Sequence, residues 1–322
     1  MQMLNLTSLL QGARKAAIAG HVHPDGDCVG SCLGLKLYLE KYFPEIKTTV
    51  YLEEFADAFQ FLKGSDEVIH TCASDAEYDV FFALDCGDEK RLGDAAKYFR
   101  TAKKTVCVDH HISNQAFAQV NYIEPDASST SELVYNLLEE EKVTREIAEA
   151  LYMGIVHDTG VFQYSCTSSR TMNIAGKLMD TGIDFSRIVD DTYYRKTYVQ
   201  NQILGRALLE SITMLDGRII FSALRQKDMK FYGVGTKDLD GIVQQLRNTK
   251  GVEAAIFLYE LGPQEFKVSM RSNGKIDVSR IACYFGGGGH VKAAGCTMQG
   301  SVYDVVNNVV EQMHKQLEQV EA

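Results

Sequence analysis

The chain has 322 residues, more than one hydrophobic core usually organises, and with 45% hydrophobic residues each of the two domains this length predicts can bury its own core. Its 33 Lys and Arg stand against 43 Asp and Glu, a net charge of −10 that excludes a protein gripping long nucleic acid through a broad basic face. Eight cysteines without paired CxxC spacing, among them Cys72, Cys86, Cys107 and Cys283, exclude a zinc ribbon and read as reduced thiols. Residues 1–10 lack the charged and apolar regions of a signal peptide, and no apolar run reaches membrane-spanning length, so the expected location is the cytoplasm.

In chain order, the first strong feature is an aliphatic run that breaks at Gly20-His21-Val22-His23-Pro24-Asp25-Gly26-Asp27. It predicts a buried strand that stops there, leaving His21, Asp25 and Asp27 on the turn at its carboxyl edge, where open α/β sheets bind ligands. Imidazole and carboxylates together, with no cysteine needed, suit a harder divalent ion such as Mn²⁺. Asp at a helix start is also a common cap, and this stretch by itself leaves both readings open. Residues 29–43 then predict a helix whose small Gly30, Ser31 and Gly34 pack close to a sheet. Residues 48–52, 79–84 and 105–108 are β-branched or continuous apolar runs separated by helix-length segments, the pattern of a parallel sheet covered on both faces. Two of them end in chemistry, at Asp85-Cys86-Gly87-Asp88 and at Asp109-His110-His111.

Residues 131–141, 145–156, 168–179 and 184–193 predict further helices, with Gly154-Ile155-Val156-His157-Asp158 contributing another acidic site. Residues 196–211 predict a helix that bridges the domains. The period becomes strand-like at 218–224, so the domains are set at 1–185, a helical linker at 186–211 and a second domain at 212–322. That second domain holds a predicted helix at 237–249, strands at 254–260 and 265–271, a helix at 277–285, the run Gly286-Gly287-Gly288-Gly289-His290 and a last helix at 302–319. The fold class is α/β: a parallel-sheet domain joined through a helical linker to a smaller mixed α/β domain.

Together His21, Asp25, Asp27, Asp85, His110 and Asp158 supply four carboxylates and two imidazoles, enough for two six-coordinate ions once waters are added. Two ions about 3.5 to 4 Å apart need a bridging carboxylate, and Asp85, on a central strand, is the natural bridge. The tetraglycine admits close backbone approach, and its N–H groups, with His290 as a further donor, can bind a phosphate or nucleotide oxygen. A flexible turn is the plainer reading of the glycines. Arg195, Lys196 and Arg206 read as a solvated helix face.

The motifs HxHPDGD, ALDCGD, VDHHISN and GIVHDTG resemble the four motifs of the DHH phosphoesterases, and FGGGGHVKAAG resembles the signature of their associated carboxy-terminal domain. Size and domain pairing are most similar to the bifunctional nanoRNase (oligoribonuclease)/pAp phosphatases. The resemblance implies a hydrolase that cleaves short oligoribonucleotides to mononucleotides or 3′-phosphoadenosine 5′-phosphate (pAp) to AMP, with two Mn²⁺ ions as cofactor. It implies His21 and Asp25 on the first ion, Asp27, His110 and Asp158 on the second, and Asp85 bridging. His111 would face the scissile phosphate, and Arg271 would grip a substrate phosphate. Asp109, at the strand end before the histidine pair, is placed to fix the tautomer of a metal-bound imidazole. His23 and His157 depart from the family's usual residues without removing a ligand; His157 reads as merely half-exposed.

The expected partners are therefore short RNA or small nucleotides as substrates, with no long nucleic acid and no membrane, and with a homodimer as one assembly open to the chain. The rival enzyme reading is a phosphodiesterase of cyclic or linear dinucleotides (c-di-AMP, pApA). An inorganic pyrophosphatase would want a denser Arg/Lys cluster, and a long-strand exonuclease a less acidic chain with a further binding domain. The rival from another class, a non-catalytic nucleotide sensor, would need a ligand missing from the set, and all six are present.

Overall fold

A computed structural model describes residues 5–321; residues 1–4, part of the segment read for signal-peptide features, and residue 322 lie outside the described residues. Two compact units divide the chain between Arg195 and Lys196.

The first unit runs α1 (Leu6–Leu10), β1 (Lys15–Ala19), α2 (Gly26–Tyr42), β2 (Lys47–Tyr51), β3 (Val80–Leu84), α3 (Ala96–Thr101), β4 (Lys104–Asp109), β5 (Val120–Ile123), α4 (Thr130–Leu137), α5 (Arg145–Asp158), α6 (Ser169–Asp180) and α7 (Phe185–Val189), which runs into a π-helical turn, Asp190–Tyr194. Its five strands form a wholly parallel sheet in the order β2-β1-β3-β4-β5. The continuous apolar runs become the interior strands because both of their faces are covered. Ile18, Phe82, Val106 and Val108 face a large core with Val29, Leu33, Leu151 and Ile155, while Ala17, Ala19, Phe81 and Ala83 face Tyr98 and Phe99. In this order the chain leaves β1 for one edge, at β2, and returns on the other side at β3. The carboxyl ends of β1 and β3 therefore flank the reversal in strand order where such sheets open a ligand crevice.

The glycines of α2 answer to a neighbour other than the one expected. A Cβ on Gly30 would stand 2.4 Å from the carbonyl oxygen of Ala150, one on Gly34 2.6 Å from Leu151, and one on Gly26 2.3 Å from the ring of His157. These are residues of α5, not of the sheet. Glycine at every fourth position puts a bare stripe on one helix face, so α2 and α5 lie closely packed and antiparallel. His157 closes one end of this seam, its Nε2 3.0 Å from Thr192 Oγ1 and its ring edge-on to Phe59, which gives it a packing role beyond simple half-exposure.

The second unit runs α8 (Tyr198–Leu209), β6 (Ile212–Met214), β7 (Ile219–Leu224), α9 (Gln226–Tyr232), α10 (Ile242–Arg247), β8 (Ala254–Gly262), β9 (Glu265–Ser272), α11 (Val278–Tyr284), β10 (Gly288–His290), β11 (Ala293–Gln299) and α12 (Val302–Glu321). The sheet order is β10-β11-β9-β8-β7-β6, with β7 and β8 parallel and the other pairs antiparallel. On one face, Val305, Val309 and Met313 of α12 join Ile256, Val268 and Met270; on the other, Ile203 and Ala207 of α8 join Ile220, Leu224 and Phe257. The stretch expected as a bridging linker is thus shared out, because Ile188 of α7 is buried in the first unit and Ile203 of α8 in the second. The helix expected at 237–249 breaks at Gly241, whose φ of 82° interrupts it, leaving a 3₁₀ turn (Thr236–Leu239) and the short α10.

Candidate metal centre

Each candidate ligand is placed by an element end. Asp25 caps α2, its Oδ1 accepting from the backbone N–H groups of Asp27 and Cys28 at 3.1 Å, so the capping role open in the sequence is filled. The same oxygen lies 3.6 Å from His21 Nε2 beyond the end of β1. Asp27 sits in the first turn of α2, fully buried, and Asp158 is the last residue of α5. The glycine seam brings these two ends together. At the end of α5 the helix dipole adds partial negative charge to a carboxylate, which favours a cation there.

Asp85 follows β3 with a φ of 57°, a left-handed conformation that costs a non-glycine residue about 1–2 kcal/mol. The turn aims its buried carboxylate in two directions: Oδ2 lies 3.4 Å from His21 Nε2, and Oδ1 lies 3.6 Å from His110 Nε2. His110 Nε2 is also 2.9 Å from Asp158 Oδ2. Three groups result in which one donor atom from each residue lies within 4.8 Å of the others: His21, Cys28 and Asp85; Asp85, His110 and His111; and Asp27, His110 and Asp158. Asp85 is shared by the first two. Five of the six expected residues thus fall in these groups and Asp25 in none, with Cys28 and His111 as further members.

Two of these carboxylates resist ionisation, while His21 holds Asp25 down to about 2 against its burial. Burial, with repulsion from Asp85 and Asp158, holds the Asp27 carboxyl well above its ordinary range, and burial raises Asp158 although His110 pulls it back. Burial also disfavours charge on the imidazoles, yet Asp25 and Asp85 push His21 up to about 12, and Asp158, Asp85 and Asp27 push His110 up to about 11. Protons thus supply positive charge that the cluster demands. Divalent ions replace protons in such a set, and carboxylate oxygen with imidazole nitrogen fits ions of the hard to borderline class.

Asp109 meets the second imidazole of the pair: its Oδ1 lies 2.7 Å from Nδ1 of His111. Asn114 Nδ2 donates to the other oxygen at 2.6 Å. The Nδ1 of His110 instead faces the carbonyl of Ala127 at 3.4 Å. Burial opposes ionisation of Asp109, but the bonds from His111 and Asn114 hold it below the usual range. In return the bond to Asp109 raises His111, against the effect of burial.

Residues passed over in the sequence hold this arrangement together. The Thr130 N–H donates to Asp27 Oδ2 at 2.6 Å and the Ser131 N–H to Oδ1 at 2.8 Å, while Thr130 Oγ1 donates to Asp85 Oδ1 at 3.1 Å. These N–H groups belong to the first turn of α4, which has no intrahelical partner for them. Ser129 caps that helix, and fully buried Glu132 accepts from Ser128 Oγ and Thr171 Oγ1 and pairs with Arg170 Nε at 2.5 Å. The S-x-x-E spacing of Ser129 and Glu132 was the available signal. His23 stays outside the cluster, 92% exposed.

In the second unit, the register sets Arg271 of β9 opposite Ala293 of β11, and Ala293 opposite His290 of β10. Residues directly opposed share a face, so Arg271 and His290 stand on one face two strands, or about 10 Å, apart. Arg271 Nη1 donates to the Met270 carbonyl. The glycines are an edge strand and its approach rather than an open loop. Cβ atoms on Gly287 and Gly289 would meet β11 backbone at 2.2 and 2.5 Å, Gly286 has a φ of 76°, and a Cβ on Gly288 would meet nothing within 4 Å. Only Gly288 is thus a glycine that neither packing nor backbone angle requires. Gly287→Ala is expected to lower stability by about 1–3 kcal/mol through overpacking, whereas Gly288→Ala leaves the melting temperature unchanged and raises KM for a nucleotide bound against it. An unchanged KM would leave the segment a structural edge. Arg195 pairs with Asp191 and Arg206 with Glu210, each one helical turn away, Arg206 also lies 3.6 Å from Asp228, and Lys196 Nζ bonds the Asp240 carbonyl.

Residues 15–155 match the model of the DHH family, N-terminal domain, and residues 216–319 that of the DHHA1 domain. The bifunctional oligoribonuclease and PAP phosphatase NrnA of Thermus thermophilus is 28% identical over 305 residues, 93% of this chain and 89% of the relative. The crystal structure of an exopolyphosphatase-related protein from Bacteroides fragilis superposes with a TM-score of 0.91 at 26% identity, covering 98% of this chain and 96% of that one. RecJ of Thermus thermophilus, solved in complex with Mn²⁺, shares the fold at a TM-score of 0.54 and 12% identity, over 95% of this chain and 53% of RecJ.

Proposed function

This chain is a DHH-family phosphoesterase, a hydrolase of phosphoester bonds with a DHHA1 domain as its second part, and on that premise we propose that it cleaves short oligoribonucleotides to mononucleotides and pAp to AMP, using two Mn²⁺ ions. The observation that carries this reading is the two-way carboxylate of Asp85, with one oxygen toward His21 and the other toward His110. His21, Asp25 and Asp85 would hold one ion, and Asp27, His110, Asp158 and again Asp85 the other. When bound, such ions lower the pKa of an attacking water and offset charge on phosphoryl oxygens.

The remaining work falls to the chain's own groups. Thr130 and Ser131 fix the Asp27 carboxylate, and Asp109, steadied by Asn114, fixes the His111 ring. With Nδ1 bonded to Asp109, which raises its pKa and so favours the protonated ring, His111 is placed to offer an Nε2–H to a phosphoryl or leaving oxygen. Arg271, the stretch from Gly286 to Gly289 and His290 are proposed to anchor the substrate's terminal phosphate or nucleotide. A net charge of −10 offers added nucleotides little Coulombic reward, which favours short substrates. No helix among the described residues is long and apolar enough to cross a membrane, and none of the eight cysteines is paired, which supports a cytoplasmic setting.

A side-by-side rate comparison with Mn²⁺ tests the substrate. pAp, a linear dinucleotide and pentanucleotide RNA are expected to exceed c-di-AMP and pyrophosphate by about tenfold or more in kcat/KM. Arg271→Ala and His290→Ala are expected to reduce turnover of pAp and the dinucleotide more than that of bis(p-nitrophenyl) phosphate, which needs no anchor. Preference for c-di-AMP would replace this reading with the cyclic-dinucleotide one. Tight nucleotide binding with no hydrolysis of any substrate would make the protein a sensor.

A further inference from the structure

Cys28 stands in the first turn of α2, fully buried, with its Sγ 3.9 Å from the carbonyl oxygen of His21. The position is made by an absence: a Cβ on Gly20 would lie 2.1 Å from this sulfur, so the thiol fills the space a side chain there would take and is held against the end of β1. Donor atoms of His21, Cys28 and Asp85 lie within 4.8 Å of one another, and all three residues are buried. Asp25 approaches His21 at 3.6 Å with a side chain more than half exposed. His21 therefore has a hard oxygen neighbour toward solvent and a soft sulfur neighbour toward the core. Thiolates select thiophilic ions, and carboxylates select harder ones.

We propose that His21, Cys28 and Asp85 form a capture site for the thiophilic ions Cd²⁺ and Zn²⁺, and that filling it withdraws His21 and Asp85 from the oxygen-and-nitrogen set assigned to phosphoester hydrolysis. The second clause rests on the function proposed above; the first rests on the triad alone. On capture the metal gains bonds from Cys28 Sγ, His21 Nε2 and an Asp85 oxygen, the Cys28 S–H and His21 Nε2–H bonds break and both protons pass to solvent, with no change of oxidation state. One sulfur, one nitrogen and one oxygen leave a tetrahedral ion a single further position. Thiophilic metal would thus act as an inhibitor through a ligand that hydrolysis does not use.

The test titrates the full chain, stripped of metal, with Cd²⁺, reading sulfur-to-metal charge-transfer absorbance and bound stoichiometry in the parent, Cys28→Ser and Cys32→Ser. Cys32 is the control because its sulfur also lies near Gly20, 3.4 Å from the same Cβ point. The parent and Cys32→Ser are expected to develop the band and Cys28→Ser to lack it. Mn²⁺-supported hydrolysis, each protein normalised to its own Cd²⁺-free rate, should need about tenfold or more Cd²⁺ for half-inhibition in Cys28→Ser. Cadmium NMR of the parent, showing a sulfur-containing or an oxygen-and-nitrogen environment, decides the matter even if a variant misfolds. A band that survives in Cys28→Ser, or a parent that binds Cd²⁺ without sulfur, overturns capture while leaving the two-ion reading intact. A parent that binds neither Mn²⁺ nor Cd²⁺ overturns both.

Discussion

Asp85→Asn and Asp85→Ala are expected to lose about four orders of magnitude or more in kcat/KM, the scale seen when a catalytic unit is broken as a whole. The same loss is expected for the parent in excess EDTA. Asp85 is the one carboxylate whose two oxygens address both imidazoles, and Thr130 Oγ1 is bonded to it as well. Removing it affects both proposed ion positions together, so metal analysis should find neither ion retained at parental affinity. Hydrolysis that continues in EDTA, or in a folded Asp85→Ala protein, would end the two-ion reading.

His111→Ala is expected to reduce kcat by about 10²-fold or more, corresponding to at least roughly 2.7 kcal/mol of transition-state stabilisation, while leaving metal content at the parental level. The division rests on the close bond of His111 Nδ1 to Asp109 at 2.7 Å, against 3.7 Å to Asp85 Oδ1, whereas His110 Nε2 faces Asp158 and Asp85. Loss of one ion in His111→Ala would contradict the assignment. The partner residue supplies a second readout. Because Asp109 raises the pKa of His111, the protonated ring persists to higher pH than that of an ordinary histidine and is lost as pH rises through the raised value. Asp109→Asn removes the raising carboxylate, so the alkaline limb of kcat should move to lower pH. An alkaline limb that stays in place would mean that another group sets it.

The parts of this fold legible in sequence were those whose residues answer to burial. Ala16 to Ala19, Val80 to Leu84 and Val106 to Val108 are apolar throughout because both sheet faces are covered, and the polar residues that end them could only be at the sheet's edge. Hence the strand ends bearing His21, Asp85 and His110, with Asp158 and the acidic start of α2, could be read together before any coordinates. What escaped depends on partners. β5 is a half-buried edge strand, and β11, Ala-Ala-Gly-Cys-Thr-Met-Gln, has few good strand formers; it is a strand because β9 and β10 pair with it on either side. Thr130 and Ser131 act on Asp27 through backbone N–H groups that any residue possesses, so only their hydroxyls could have drawn notice. Which of the two imidazoles Asp109 meets depends on side-chain direction beyond the strand's end, which the order of residues does not give.

The seam between α2 and α5 makes one further quantity rigid. Asp27 rides on the first turn of α2 and Asp158 on the last turn of α5, and the interval between those turns is governed by Gly26, Gly30 and Gly34 bearing on His157, Ala150 and Leu151. The two helices therefore act as the jaws of a caliper whose gauge is set along their whole length by glycines. On the proposed two-ion reading, the ionic radius that suits the tips depends on residues outside the ligand set: a methyl group at Gly30 is expected to open the jaws while every proposed ligand stays as it was.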